Sequence, residues 1–267
     1  MEAITLKQAR LLDEIETAML QAKMKRIQEI TNNPMEIDIQ MIGSTTAFKA
    51  VKMPGPAFNT IRGFKHEDLP LLDDLIHFYQ ISKLKPQFEL NPAFTSPDLF
   101  RALMRNNYCQ TRFHTVLYGT TEWENMRNEP ALTIRSVKAQ EMDLYADIYL
   151  KSFKLPIELK QGVAQHNQVL LDDPRWSFYI AEWDGQPAAV ASLFVEEKMA
   201  VLAAAATLPS FRQRGIHQQL VNIRMKEAEA RGTAIISGQA NFGSISQTNM
   251  EKSGMKIAYT KGIWNSL

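Results

Sequence analysis

The chain has 267 residues, of which 45% are hydrophobic and 22% charged, with a net charge of +1, so it is long enough for one large domain or two smaller ones around ordinary cores. Lys plus Arg against Asp plus Glu is 15 to 16 over residues 1–130 and 15 to 13 over 131–267, so neither half is a basic module. Nucleic acid and an anionic membrane surface are therefore not expected as partners. A single cysteine, Cys109, excludes an internal disulfide and a Cys-based zinc site, and reads as a small buried thiol in a strand. No metal site is expected.

In chain order, the opening stretch MEAITLKQARLLDEIETAML mixes charge throughout, unlike a signal peptide, and no run approaches the ~18 apolar residues of a membrane helix. A cytoplasmic location is the default expectation. Residues 4–31 carry Ile4, Leu11, Leu12, Ile15, Met19, Ala22, Ile27 and Ile30 at helical spacing, which predicts one or two amphipathic helices. MEIDIQMI, TAFKAVKM and FNTIRGF read as three strands, the last two separated by PGP. A helix is predicted over HEDLPLLDDLIHFYQISK, a strand in PQFEL, a helix opened by Ser96 and Pro97, and a strand in YCQTRFHTVLYG. TTEWENMRNEP reads as a linker.

The second half restarts with a strand in ALTIRSV, followed by helical patterns in KAQEMDLYADIYLKSF and PIELKQGVAQHNQVLL. Three strands follow, WSFYIAEW, QPAAVASLFVEE and MAVLAAAATL, the first two joined by a hairpin turn at Asp184-Gly185. A helix over 214–231, a strand TAIISG, a helix over 243–253 and a strand MKIAYTKGIW complete the chain. Both halves thus end in the order three strands, helix, strand, helix, strand, which predicts a remote internal duplication.

The stretch TLPSFRQRGIHQQL is where the pattern turns chemical. A strand-helix-strand unit over 199–238 implies two parallel strands, with the helix N-terminus at the carboxyl end of the first. The unpaired N–H groups of a first helical turn favour an anion, Gly215 allows close approach, and Arg212 and Arg214 add positive charge. The stretch therefore reads as a phosphate cradle. Neither a P-loop nor an early Gly-x-Gly-x-x-Gly is present, and the small side chains of AAAATL leave room for an extended arm beside the strand. A phosphate tail with such an arm has the shape of coenzyme A.

RQRGIH resembles the Arg/Gln-x-x-Gly-x-Gly/Ala signature of the GCN5-related N-acetyltransferases (GNAT), and GSISQTNMEKSGMKIAYTK is similar to their second motif. The resemblance covers about residues 131–267 and is strongest over 200–264. It implies an α/β (α+β) GNAT fold, a mixed, mostly antiparallel sheet flanked by helices. The expected domains are an acetyl-CoA-binding acetyltransferase domain over 131–267 and a degenerate GNAT-like copy over 1–125. It also implies that the amides of Gln213, Arg214, Gly215, Ile216 and His217 hold pyrophosphate, that Ala206, Thr207 and Leu208 pair with the pantetheine arm, and that Ser246 and Asn249 face the cofactor. The sequence departs from the family's pattern at His217, where Gly or Ala is usual, and at Met250, where many members have the tyrosine that protonates the leaving thiolate.

Acetyl transfer needs a deprotonated amine, a polarised carbonyl and a stabilised thiolate. Glu196 and Glu197 are candidate bases or merely solvated hairpin charges, and His217 is a candidate base or a phosphate contact. His66 and His166 read as surface or structural, Trp264 as core, and Tyr259 as a candidate wall of an acceptor pocket. Two functions stay open: an N-acetyltransferase using acetyl-CoA and a primary amine, with a small-molecule acceptor favoured, or a catalytically silent CoA-binding or scaffold protein. Whether the halves exchange across a homodimer is also open.

Overall fold

A computed structural model describes residues 4–53, 55–120 and 129–267. The predicted linker over 120–130 lies almost wholly outside the described residues. The chain forms two compact units, Met1–Val116 with Ala258–Leu267, and Leu117–Ile257.

In the first unit, helix α1 (Leu6–Gln28) is a single helix, started by a capping box in which Thr5 accepts from the Gln8 amide and Gln8 reaches back to the Thr5 N–H. Strands β1 (Ile37–Ile42), β2 (Thr45–Ala50) and β3 (Thr60–Arg62) pair antiparallel in sequence. The helix predicted over 66–83 is instead a 3-10 segment, His66–Leu71, followed by α2 (Leu72–Gln80). Pro70, which has no amide proton to donate, sits inside that segment and prevents a regular α-helical ladder. Strand β4 (Gln87–Leu90) returns parallel to β3, and α3 (Pro97–Arg105), capped by Ser96, leads into β5 (Tyr108–Thr120).

The second unit opens with β6 (Leu132–Ser136), α4 (Met142–Phe153) and α5 (Lys160–Gln168). Strands β7 (Trp176–Trp183), β8 (Gln186–Glu196) and β9 (Met199–Thr207) follow as an antiparallel meander. Asp184 and Gly185 both have positive φ, 49° and 73°, as a two-residue hairpin turn requires. Helix α6 (Ile216–Ala230) crosses over to β10 (Ile235–Asn241), parallel to β9, and α7 (Ile245–Lys252) precedes β11 (Lys256–Ser266).

Each unit therefore carries three antiparallel strands leading into a parallel pair, β3 with β4 and β9 with β10: a GNAT-type mixed, mostly antiparallel α/β arrangement in both halves. The expected boundaries of 1–125 and 131–267 differ from these units at the last strand. Gly262, Ile263 and Trp264 of β11 pair antiparallel with Leu90, Glu89 and Phe88 of β4, so residues 258–267 complete the first unit's sheet. Strand β5 in turn is a sheet neighbour of β10, and its residues from Leu117 onward belong to the second unit. Trp264 is core as expected, stacked on Phe100 at 5.4 Å. Cys109 in β5 is only partly buried, against the expectation of a buried thiol.

Candidate functional site

After β9, a 3-10 turn over Pro209–Phe211 lifts the chain out, and residues 212–215 are exposed before α6 begins. Gly215 is the N-cap residue with φ 77°, and Gln213 also has positive φ, 65°. No side chain caps α6. Its first-turn N–H groups, which have no partner within a helix, are thus presented together with the positive end of the helix dipole. A Cβ built on Gly215 would meet nothing within 4 Å, so the space against the backbone is open at that point.

The strand before the loop is shaped for an extended neighbour. Strands β9 and β10 pair only from Met199↔Ile235 to Leu202↔Gly238, although β9 runs on to Thr207 and β10 to Asn241. The β8–β9 register slips between Ala191↔Ala205 and Leu193↔Leu202, which leaves an extra residue on β9 and bends it where the parallel ladder ends. The side chains beyond the bend, Ala203 to Ala206, are small.

The bulge is held by groups that sequence reasoning missed. Arg224, 1% exposed, donates to the carbonyls of Leu220 (2.8 Å), Ser192 (3.0 Å) and Ala204 (3.2 Å). The Ala204 N–H donates to Ser192 Oγ at 3.2 Å, and the buried Tyr145 hydroxyl also bonds to Ser192. Burial lowers the Arg224 pKa to about 10, partly offset by Tyr145 and Tyr179, so the guanidinium is still charged near neutrality. A signal was present: Arg224 falls at i+4 and i+8 from Leu220 and Ile216 and so lies on α6's buried face.

The predicted site residues are distributed unevenly around this geometry. Ala206 is buried, Thr207 and Leu208 are partly exposed, and the Thr207 hydroxyl is enclosed without a hydrogen-bond partner. Arg212 donates to the carbonyls of Thr207 (3.2 Å) and Ser152 (2.8 Å), tying the loop to the end of α4. Arg214 lies 5.1 Å and 5.3 Å over the Trp183 and Phe211 rings. His217 Nδ1 is 3.2 Å from Asn249 Nδ2, which joins the first turn of α6 to α7. Ser246, also on α7, is partly exposed.

Burial, then the Arg224 charge, pushes His217 down to about 4, so the imidazole is neutral at pH 7 and does not titrate there. Met250 is buried, and a Cβ on Gly238 would come within 2.6 Å of its sulfur. The position therefore packs α7 onto β10 and offers no proton donor.

Glu196 and Glu197 require correction. They end β8 and turn into the start of β9, whereas the loop follows the end of β9, roughly 26 Å along the strand. Glu196 pairs with Arg175 at 2.7 Å, and Glu197 has φ 53° in the turn. Neither reaches the loop. Tyr259 belongs to the first unit, where its buried hydroxyl has no hydrogen-bond partner. His66 is exposed and His166 buried, as surface and structural residues.

Residues 142–246, from α4 to the start of α7, match the family described as Acetyltransferase (GNAT). No curated protein matches the sequence. Among solved structures, the chain is similar to a GCN5-related N-acetyltransferase from Kribbella flavida, at 14% identity over 95% of both chains with a TM-score of 0.68. A GCN5-related N-acetyltransferase from Sphaerobacter thermophilus aligns at 13% identity over 99% of this chain and 94% of that one, TM-score 0.62. A tandem GNAT protein from the clavulanic acid biosynthesis pathway aligns at 10% identity over 77% of this chain and 74% of the other, TM-score 0.57. At these identities the similarity concerns the fold.

Proposed function

Since the chain is a GNAT-family protein, with the matching domain at 142–246, we propose that its second unit transfers an acetyl group from acetyl-CoA to a primary amine. One observation carries the reading. The bulged end of β9, unpaired towards β10, runs directly into an uncapped helix start with Gly215 in the left-handed conformation. An anion at that helix start would be held by backbone amides, and an extended amide-bearing arm could hydrogen-bond along 203–207. The amides of Gln213 to His217 would take the pyrophosphate, and Ala206, Thr207 and Leu208 would line the arm. Arg212 serves by fixing the loop, because its donors are engaged by the Thr207 and Ser152 carbonyls. Asn249 serves by orienting His217.

In the reaction, the neutral amine nitrogen attacks the thioester carbonyl carbon, the new C–N bond forms, the C–S bond breaks, and the amine proton passes to solvent. Met250 supplies no acid, and none is required, because a thiol with a pKa near 8.5 leaves as the thiolate without protonation. Positioning of the two substrates and polarisation of the carbonyl by backbone amides would supply the acceleration. The acceptor is a small molecule in this reading.

The buried methionine favours a second reading, a silent acyl-CoA binder. Two measurements separate them. Acetyl-CoA at 100 times its dissociation constant should stabilise the protein by about 2.7 kcal/mol, a rise of several degrees in Tm. Free thiol should then appear with a panel of primary amines. Stabilisation without thiol release with any amine selects the silent binder, and no stabilisation at millimolar acetyl-CoA overturns both readings.

A further inference from the structure

The first unit contains a cavity of about 570 Å³, within the range of small-molecule sites, between α1 and the chain just beyond the carboxyl ends of β3 and β4. Asp13 and Arg62, both more than nine-tenths buried, line it. They belong to a cluster with Glu16, Glu89 and Lys261. Lys261 Nζ lies 3.1 Å from Glu16 and 2.7 Å from Glu89, and Arg62 donates to Glu89 at 3.1 Å and to the Glu16 carbonyl at 3.1 Å.

The cluster is incomplete in two respects. Among the described residues no hydrogen bond or ion pair reaches Asp13, on which Lys261 and Arg62 act only at longer range, whereas Glu89 is faced by Arg62, Lys261 and His114. The Arg62 Nε–H is also enclosed without an acceptor. Buried polar groups are ordinarily satisfied, and an unpaired buried carboxylate is costly. Since the missing partners are one positive charge and one neutral oxygen, and the cavity adjoins both residues, we propose that the first unit binds a small organic cation. Its ammonium pairs with Asp13, and a hydroxyl or carbonyl oxygen on it accepts from Arg62.

An anionic ligand is disfavoured. The loop after β3 leads into a first turn bearing Glu67 and Asp68, and Asp68 already accepts from the Ser44 amide, the Ser44 hydroxyl and the Thr45 hydroxyl. The place where a phosphate would sit at that helical start is thus occupied by carboxylates. Arg10 and Lys65 at the rim are matched by Glu14 and Glu67, which leaves Asp13 to decide the sign. The site does not depend on acyl transfer in the second unit.

The test is titration calorimetry of the full chain with glucosamine and ethanolamine, each beside its neutral counterpart, glucose and ethylene glycol. At least one amine is expected to bind at least tenfold more tightly than its counterpart. Asp13→Asn should abolish that preference, and Ala18→Phe, which puts a ring into the cavity from its wall, should abolish binding altogether. Gly215→Glu should leave amine binding unchanged, so failure of the acyl-CoA site and failure of this one are read separately. Equal responses to amine and neutral compound, or a preference that survives both Asp13→Asn and Ala18→Phe, would overturn the proposal.

Discussion

The loops after β3 and after β9 stand at the same topological station, the carboxyl end of the first strand of a parallel pair, yet they carry different side chains at the helical start. After β9 the loop is exposed, Gly215 holds a left-handed turn, and no side chain occupies the helix start. After β3 the loop also turns through a glycine, Gly63 at φ 75°, but it enters a short 3-10 segment with Glu67 and Asp68 in its first turn. The first station offers backbone amides to an anion. The second has filled those positions with carboxylates and set a buried, carboxylate-rich cluster beside them. The position is inherited from the fold, and its chemistry is decided by whether side chains leave the helix start vacant.

The strongest way to break this comparison is to fill the vacant station. Gly215→Glu places a carboxylate at the loop and forces a non-glycine residue into φ 77°, so acyl-CoA affinity should fall at least 100-fold by calorimetry. Gly63→Ala is the matched control. Its Cβ would lie 3.6 Å from the Ser44 carbonyl oxygen, so it should cost about 1 kcal/mol of stability and leave acyl-CoA affinity unchanged. If Gly215→Glu binds acyl-CoA normally, the β9 loop is not the cofactor site.

The bend in β9 is the next point of attack. Arg224→Met removes three hydrogen bonds to carbonyls that are enclosed around the bulge, and the loss should be about 3 kcal/mol in denaturant unfolding. Arg224→Lys keeps the charge but cannot span all three acceptors, so an intermediate loss is expected. If the proposed arm lies along 203–207, acyl-CoA affinity should weaken in both. Unchanged affinity in a folded Arg224→Met protein would show that the bulge keeps its shape without Arg224.

The charged cluster of the first unit makes a prediction about pH. Burial raises Asp13 to about 7, opposed by Lys261 and reinforced by Glu16, with Arg62 and Glu89 also facing it. Glu89 goes the other way, because Arg62 and Lys261 outweigh its own burial and hold it well below the usual carboxylate range. A carboxyl whose folded pKa lies above its unfolded value of about 3.9 contributes stability that is complete below pH 4 and lost as pH rises through 7. Asp13→Asn should therefore be more stable than the parent protein at pH 8, by up to about 4 kcal/mol, and the difference should shrink towards pH 4. An equal penalty at both pH values would show that Asp13 is ionised and paired throughout.

The order of elements was legible because the second half alternates cleanly. WSFYIAEW, QPAAVASLFVEE and MAVLAAAATL each appear as strands within one residue of the predicted ends, since their faces bury a continuous core. The loop was legible because a glycine between a strand and a helix has a local physical meaning. What could not be read locally was long-range. Nothing in MKIAYTKGIW shows that its register partner is β4, more than 170 residues away, and so the sequence alone assigns the last strand to the second half. The charged cluster was hidden for the same reason: Arg62 and Glu89 are lone charges in two short strands, Lys261 lies in the distant β11, and only pairing brings them to Asp13 and Glu16. The distance of Glu196 from the loop follows from direction, since a hairpin between β8 and β9 lies at the start of β9 and not at its carboxyl end.

The smallest expected effect concerns His217, and it separates a structural contact from a base. A general base with its pKa near 6.5 would give an acid limb in the pH–rate profile and a loss of roughly 100-fold on replacement. Here burial and Arg224 hold the imidazole pKa at about 4, so it stays neutral from pH 5.5 upward and contributes no inflection in that range. The amide of Asn249 can only donate through Nδ2, so Nδ1 of His217 is the acceptor and its proton sits on Nε2. His217→Asn should therefore change kcat/KM by less than about threefold, with the same pH profile, acting through the α6–α7 contact alone. Loss of an inflection near pH 6.5 in that variant would instead return His217 to the chemistry and require the ring to be solvated in the working protein.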